Sequence, residues 1–210
     1  MSQQPTNPAN GNWYHGASYL ISAAELSQLP EDTGFEVAFA GRSNAGKSSA
    51  INTICNQKSL CRTSKTPGRT QLINQFELDD THRLTDLPGY GYAKVPEAMK
   101  RRWQKTLGEY LETRKCLQGV VLMMDIRHPM SSHDLQMLEW ARACNMPVHC
   151  LLTKADKLKR GPAKSTLLQV LKELKKMSPL FTAQMFSSSK RDGLPEAWQK
   201  LNEWYQVNQD

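Results

Sequence analysis

Residues 41–48 read Gly-Arg-Ser-Asn-Ala-Gly-Lys-Ser, directly after the apolar run of Phe35, Val37, Ala38, Phe39 and Ala40. A strand that runs into a glycine-bracketed loop opening a helix narrows both the fold and the ligand class to a polyphosphate. Gly41 and Gly46 let the backbone approach phosphate oxygens closely. The successive N–H groups of the loop, which also holds Arg42, Ser43, Asn44 and Ala45, can then point at those oxygens. Lys47 supplies positive charge to the β and γ phosphates, and the Ser48 hydroxyl can coordinate Mg²⁺. A glycine turn followed by a chance Lys-Ser would share the letters, but not the strand before them and the helix after them. The loop alone leaves open which nucleotide binds and whether it is cleaved.

Strand-like and helix-like stretches alternate along the chain. Phe35–Ala40 predicts a strand and Gly46–Cys55 the helix springing from the loop. Leu72–Leu78 and Arg83–Leu87 predict two strands joined by the turn Asp79-Asp80-Thr81-His82. Pro96–Lys115 has Met99, Trp103, Leu107 and Leu111 at helical spacing. The run Gly119–Asp125 is continuously apolar, as a strand covered on both faces requires. Helices over Asp134–Asn145, Pro162–Met177 and Leu194–Val207 alternate with strands over Pro147–Leu152 and up to Met185-Phe186. Such alternation predicts an α/β fold, a mostly parallel sheet with helices on both faces, in which ligands bind beyond the carboxyl ends of strands.

Four further polar motifs fall at or between strand ends. Asp86-Leu87-Pro88-Gly89 offers a carboxylate for a magnesium-ligated water and a glycine N–H for a γ-phosphate; taken alone, Asp-x-x-Gly is an ordinary turn. Thr153-Lys154-Ala155-Asp156 offers a carboxylate to the ring N1–H and exocyclic amine of guanine. Adenine presents the opposite donor–acceptor arrangement there, which would leave buried groups unpaired. The stem of Lys154 can lie across the base. The other reading of Asp156 is a helix cap before Pro162. Phe186-Ser187-Ser188 can bring a backbone N–H to the guanine carbonyl. The stretch 63–71 (TSKTPGRTQ) offers threonine hydroxyls, of which Thr70, nearest the following strand, is the expected magnesium ligand; a basic surface loop is the alternative.

The 210 residues suffice for one domain with a proper core, and 39% of them are hydrophobic. The polar start, residues 1–19, reads as a partly disordered tail without the features of a secretory signal, and 20–210 as a single domain. No apolar stretch approaches the ~20 residues that span a bilayer. The five cysteines are odd in number and lack Cys-x-x-Cys spacing. They point to a reduced cytosolic compartment rather than to zinc or disulfides. The net charge of +7 suits an anionic partner larger than one nucleotide, or simply a solvated basic surface.

Taken in order, these motifs resemble the translation-factor class of P-loop GTPases. GRSNAGKSS, SKTPGRTQ, DLPGYGYA, DIRHP and TKAD together resemble the EngB (YihA/YsxC) family of bacterial ribosome-assembly GTPases over roughly residues 20–207. The resemblance implies a Ras-like sheet of six strands, GTP and GDP binding with Mg²⁺, and slow hydrolysis. It also implies a monomer active in large ribosomal subunit assembly, whose loss disturbs division and septation. It carries phosphate binding to Gly41–Ser48, magnesium ligation to Ser48 and Thr70, with Asp86 acting through water, and triphosphate contacts to Gly68, Arg69, Thr70, Gln71 and Leu72. Asp86–Gly89 would sense the γ-phosphate, and Thr153–Asp156 with Phe186–Ser188 would surround guanine. The usual guanine motif begins with Asn, so Thr153 is a departure.

Catalysis has a gap. Where many GTPases carry a water-orienting glutamine after Asp-x-x-Gly, this chain has Tyr90, whose phenol lacks an amide's paired donor and acceptor. Asn44 resembles the phosphate-loop asparagine of potassium-dependent GTPases, which implies a K⁺ ion beside the phosphates; alternatively it only tolerates the loop's backbone conformation. The catalytic set expected is Lys47, Asn44, Thr70 and Gly89. Gly89-Tyr90-Gly91-Tyr92-Ala93 predicts a mobile second switch, or rings covering the adjacent helix. Three basic clusters, around Lys58–Arg69, Lys100–Lys105 and Lys154–Lys164, suit ribosomal RNA phosphates or a solvated face. A small-molecule kinase and an RNA-binding factor with a structural nucleotide are the competing readings. A membrane-bound signalling GTPase would need a lipidation motif that neither end carries.

Overall fold

Successive residues of a strand point to opposite faces, so a strand apolar at every position must be covered twice. Phe35–Gly41 (β2) is such a strand but for Glu36 near its start. Its Val37 and Phe39 lie in one hydrophobic core and its Ala38 and Ala40 in another. The computed structural model describes residues 11–61, 72–90 and 97–207. It places β2 centrally, between the parallel neighbours His82–Asp86 (β4) and Leu117–Asp125 (β5). Val148–Thr153 (β6) and Phe181–Met185 (β7) extend the parallel sheet on one side. On the other side lie Ile73–Glu77 (β3), antiparallel to β4, and Ser18–Ala23 (β1), antiparallel to β3. The order is β1-β3-β4-β2-β5-β6-β7.

Helices Lys47–Ile54 (α1) and Leu194–Tyr205 (α5) cover one face. Glu97–Thr113 (α2), Ser132–Ala143 (α3) and Arg160–Met177 (α4) cover the other. The α/β class, the parallel core and the two helical layers agree with the sequence expectation. Element bounds shift by a few residues where local chemistry decides. For α3 the start moves forward because Ser131 and Asp134 form a reciprocal capping box: the Asp134 carboxylate accepts the Ser131 N–H at 3.0 Å. The turn between β3 and β4 is held by Asp79, whose carboxylate accepts the N–H groups of Thr81 and His82, each at 2.9 Å. No helix of the described residues is long and apolar enough to cross a membrane. All five cysteines are free thiols.

The sheet has seven strands rather than six, and residues 11–19, expected within a tail, are built into the domain. A 3-10 turn over Asn12–Gly16 buries Tyr14 completely. Its hydroxyl donates to Asn202 Oδ1 at 2.6 Å, while Trp13 sits edge-on to His82 and Tyr205. The anchoring groups lie near the other end of the chain, so neighbouring sequence cannot reveal them. β1 is half-exposed, with Tyr19 and Leu20 outward, and lacks the clean alternation that marks a strand.

At the amino end of β2, away from the phosphate loop, Glu36 is wholly buried. It accepts hydrogen bonds from Thr85 Oγ1 at 2.8 Å, from Tyr110 Oη, and from Arg114 Nε and Nη2 at 3.1 and 2.9 Å. Arg114 also donates to Pro30 O at 2.8 Å. The cluster ties α2 to β2 and β4 beneath the core. Removing one partner of a buried pair strands the other's charge and costs about 3–5 kcal/mol. Glu36→Ala is therefore expected to lower the urea midpoint by that equivalent with an unchanged slope; an unaltered midpoint would remove this cluster from the stabilising core.

Candidate phosphate and base site

The carboxyl ends of β2, β4, β6 and β7 converge, and the motifs read from the sequence arrive there together. The loop 41–48 leaves β2 through Gly41. A Cβ at Gly41 would press on Met123 of β5, 3.1 Å from its carbonyl oxygen. Asn44 and Gly46 take left-handed backbone (φ 64° and 92°), and Gly46 caps α1. Asparagine tolerates that region better than most residues, so the backbone alone accounts for the residue type at 44.

Two carbonyls of this loop are held by the motif after β6. Thr153, buried, donates its hydroxyl to Ala45 O at 2.5 Å. Lys154 Nζ donates to Asn44 O at 2.7 Å and to Asp125 Oδ2 at 2.9 Å. The trans peptide sets N–H opposite C=O, so fixing Ala45 O aims the Gly46 N–H away from β6, into the loop's concave side. The N–H groups of Ser43 and Ala45 are engaged within the protein, by Tyr90 O at 2.8 Å and Arg42 O at 3.0 Å. The donors left to a ligand are those of Asn44 and Gly46 and the first-turn amides of Lys47 and Ser48.

Lys47 pairs through Nζ with Asp86 Oδ1, both side chains largely buried. The carboxylate that ends β4 thus lies beside the phosphate loop, as the spacing implied. Leu87 is buried in the core, and Gly89 backs onto Ser43 with its Cβ position 3.7 Å from the Ser43 N. The hard oxygens of Ser48 and Asp86 suit Mg²⁺, which takes few protein ligands beside phosphates and waters. Among the described residues no group of three or more His, Cys, Asp or Glu side chains could hold a metal, and such an ion needs none. Gly68, Arg69, Thr70 and Gln71, with Tyr92, lie outside the described residues. Leu72 leads directly into β3.

On the base side, Asp156 Oδ1 accepts the Ser187 hydroxyl at 2.7 Å, and Lys157 stands 3.2 Å away. These partners hold the Asp156 carboxyl below its usual range, so it is an anion at neutral pH. Asp125 is likewise pushed down, by Arg127 first and then Lys154. Phe186 O accepts the Ala155 N–H at 3.1 Å, locking the two base-side loops together. The Phe186 and Ser187 amides are taken up by Leu152 O and Asp192 O. Of the three residues expected around guanine in this loop, Ser188 alone keeps an N–H without a partner among the described residues.

Tyr90 takes the arrangement of the alternative reading, a ring covering the adjacent helix. It is 5% exposed, with its ring 5.4 Å from that of Trp103 in α2. Its hydroxyl donates to Asp134 Oδ1 at 3.4 Å. Burial, with Asp134 beside it, raises its phenol far above the ordinary value. The flanking glycines suggested freedom, but the apolar seat between α2 and α3 decides.

Sequence reading also missed a clamp behind the base loop. Gln184 Nε2 donates to Gly193 O at 2.6 Å, where the loop after β7 ends. Its Oε1 therefore faces His149 Nε2, 2.8 Å away, and must receive that N–H. Thr182 completes the ring's pairing at Nδ1, 2.7 Å. Burial brings the imidazole down to about 4, so it is neutral at pH 7. Alternation along β6 and β7 puts these three side chains on one face, the only signal in the sequence.

Thr153→Val keeps the shape but leaves Ala45 O buried and unpaired, at about 1–3 kcal/mol. If that oxygen sets the loop, the affinity for GDP falls roughly tenfold, each 1.4 kcal/mol being a decade. Unchanged titration calorimetry would show that the bond does not shape the cradle.

Comparison with known proteins agrees with this geometry. A family model described as "50S ribosome-binding GTPase" matches residues 36–154. The "Probable GTP-binding protein EngB" of Hydrogenovibrio crunogenus (strain DSM 25203 / XCL-2) is 57% identical over 191 residues, 91% of this chain and 90% of that protein. Among solved structures, a probable GTP-binding protein engB superposes with TM-score 0.64 at 23% identity, over 82% of this chain and all of that one. Era in complex with MgGDPNP and nucleotides 1506–1542 of 16S ribosomal RNA gives 0.60 at 21%, over 82% of this chain and 57% of that one. At those identities the two structures speak for the fold alone. Phosphate loop, acidic strand ends and base motif on a Ras-like sheet, with a relative this similar along nearly the whole chain, place the protein in the EngB family of GTP-binding proteins, P-loop enzymes that hydrolyse GTP.

Proposed function

We propose that this GTPase is a nucleotide-dependent switch that acts on precursors of the large ribosomal subunit through ribosomal RNA, in the cytoplasm and as a monomer. The same reading makes it necessary for normal division and septation. The observation that carries the nucleotide half is the direct bonding of the guanine motif to the phosphate loop, Thr153 to Ala45 and Lys154 to Asn44. Base and phosphates are thereby read by one rigid unit. A small-molecule kinase has no use for that unit. The ribosomal half is supported by the family's description and by the basic surplus of the chain.

In this reading Gly41–Ser48 hold the phosphates, and Lys47 exchanges Asp86 for the β and γ oxygens. Ser48 and Asp86 receive Mg²⁺, the latter through water, and Thr70 joins them from 68–72. The ion neutralises charge on the phosphates when bound. Gly89 offers its N–H to the γ-phosphate. Asp156 pairs with the guanine N1–H and amine, Lys154 lies along the base, and the Ser188 N–H meets the guanine carbonyl. Tyr90, turned into the core, cannot orient the attacking water, so intrinsic hydrolysis is slow. Asn44, exposed at the loop, would in this reading share a K⁺ ion with the phosphates and so stabilise developing charge as an arginine finger does.

Sedimentation with large-subunit precursor particles tests the switch. Binding is expected to be strong with a non-hydrolysable GTP analogue and weak with GDP; equal pelleting with analogue, with GDP and without nucleotide would leave an RNA-binding factor with a structural nucleotide. Turnover in K⁺ is expected to exceed that in Na⁺ at equal ionic strength by at least about tenfold, on the scale of a partial charge stabiliser. Equal rates in single-turnover assays would return Asn44 to a purely conformational role.

A further inference from the structure

Most of the surplus of positive charge sits in one stretch of the chain. Between Lys157 and Lys176 there are seven basic residues against the single acid Glu173, a net +6 of the chain's +7. These residues lead into and form α4, which starts directly behind the guanine motif. The helix buries Ala163, Val170 and Leu174 in the core. Away from that side it carries Lys164 and Lys172, both exposed and about 12 Å apart at 1.5 Å per residue, with Arg160 and Lys176 exposed at the two ends of the helix. Leu168, between Lys164 and Lys172, is 58% exposed. Lys176 pairs with Glu173 at 2.7 Å. Arg160, Lys164, Lys172 and Lys175 have no acidic partner among the described residues. Nearby, Lys154 is engaged by Asn44 and Asp125, and on α2 Arg102 is paired with Glu25 at 3.1 Å.

We propose that the outer face of α4, centred on Lys164, Leu168 and Lys172, is the surface by which this GTPase docks on the phosphate backbone of large-subunit ribosomal RNA, in every nucleotide state. The proposal rests on the reading that this RNA is the partner, and assigns the contact. Exposed basic side chains, Lys164 and Lys172 among them unpaired, without a shaped pocket match a periodic polyanion, whose counterions are released on contact. An anionic membrane fits less well, because the apolar side of α4 is turned into the core and cannot insert. The face belongs to the rigid, base-reading part of the domain, so it anchors the protein while the γ-phosphate end changes its contacts.

The test uses the full chain, protein-free large-subunit ribosomal RNA made by transcription, and intact precursor particles. For Lys164→Glu/Lys172→Glu, affinity for the RNA is expected to fall at least about tenfold at about 0.1 M salt. The slope of log affinity against log salt should shrink by about two, one for each phosphate no longer neutralised. Lys164→Gln/Lys172→Gln should fall between this variant and wild type, and the loss should be the same with GTP analogue and GDP. GDP affinity and single-turnover hydrolysis should stay within about twofold in both variants, which shows that the site and fold are intact. Wild-type affinity and slope in both variants would overturn the assignment while leaving the ribosomal reading standing. Weaker binding to particles with unchanged binding to protein-free RNA would overturn it in favour of an acidic ribosomal protein. Failure of the wild-type chain to bind RNA or particles with any nucleotide would overturn both readings.

Discussion

Everything at the nucleotide end depends on two carbonyls. A loop that turns its amides toward an anion must turn carbonyl oxygens the other way, and those oxygens need donors if they are buried. Here the Thr153 hydroxyl takes Ala45 O and the Lys154 ammonium takes Asn44 O. Asp125, at the end of β5, holds the ammonium in turn. Three parallel strands thereby fix one loop, and the left-handed backbone at Asn44 and Gly46 is held in place. Thr153, the departure from the usual asparagine, still supplies the bond: a hydroxyl donates as an amide does.

The motifs were legible because each is short, polar and placed where an apolar run stops. Lys47 with Asp86, and Asp156 with Ser187, meet as their positions at strand ends imply. What was not legible depended on distant partners. Tyr14 looks like part of a polar tail until Asn202 and Tyr205 close over it. Glu36 interrupts the apolar run of β2, and its partners Tyr110 in α2 and Arg114 just after it are far away in sequence. The His149–Gln184–Gly193 chain needs the register of β6 on β7 to exist at all. At Tyr90 two readings stayed open for a different reason. Flanking glycines permit motion, but a seat of the right size withdraws the permission, and only tertiary structure shows that seat.

Two halves of different character result. The base-reading half is cross-tied: Ala155 to Phe186, Ser187 to Asp156, and the loop's end to Gln184. A site held on both sides loses little entropy when it binds, which favours affinity, and it offers a fixed reference for the rest of the molecule. α4 grows out of this half, so its charges stand in a constant relation to the base.

The phosphate-sensing half is constrained by Tyr90. Its backbone bonds both ways with the phosphate loop, taking the Ser43 N–H at 2.8 Å and giving its own to Gly41 O at 3.4 Å. Its ring fills the space between Trp103 and Asp134. Emptying a large aromatic seat costs about 3–5 kcal/mol, and a ligand shifts an equilibrium only by its differential affinity for the two states. One N–H contact from Gly89 to a γ-phosphate, a charged hydrogen bond of about 1.5–3 kcal/mol, falls short of that cost. Moving Tyr90 would therefore need differential contacts beyond that one, and with the ring seated a change at Gly89 turns about a fixed point.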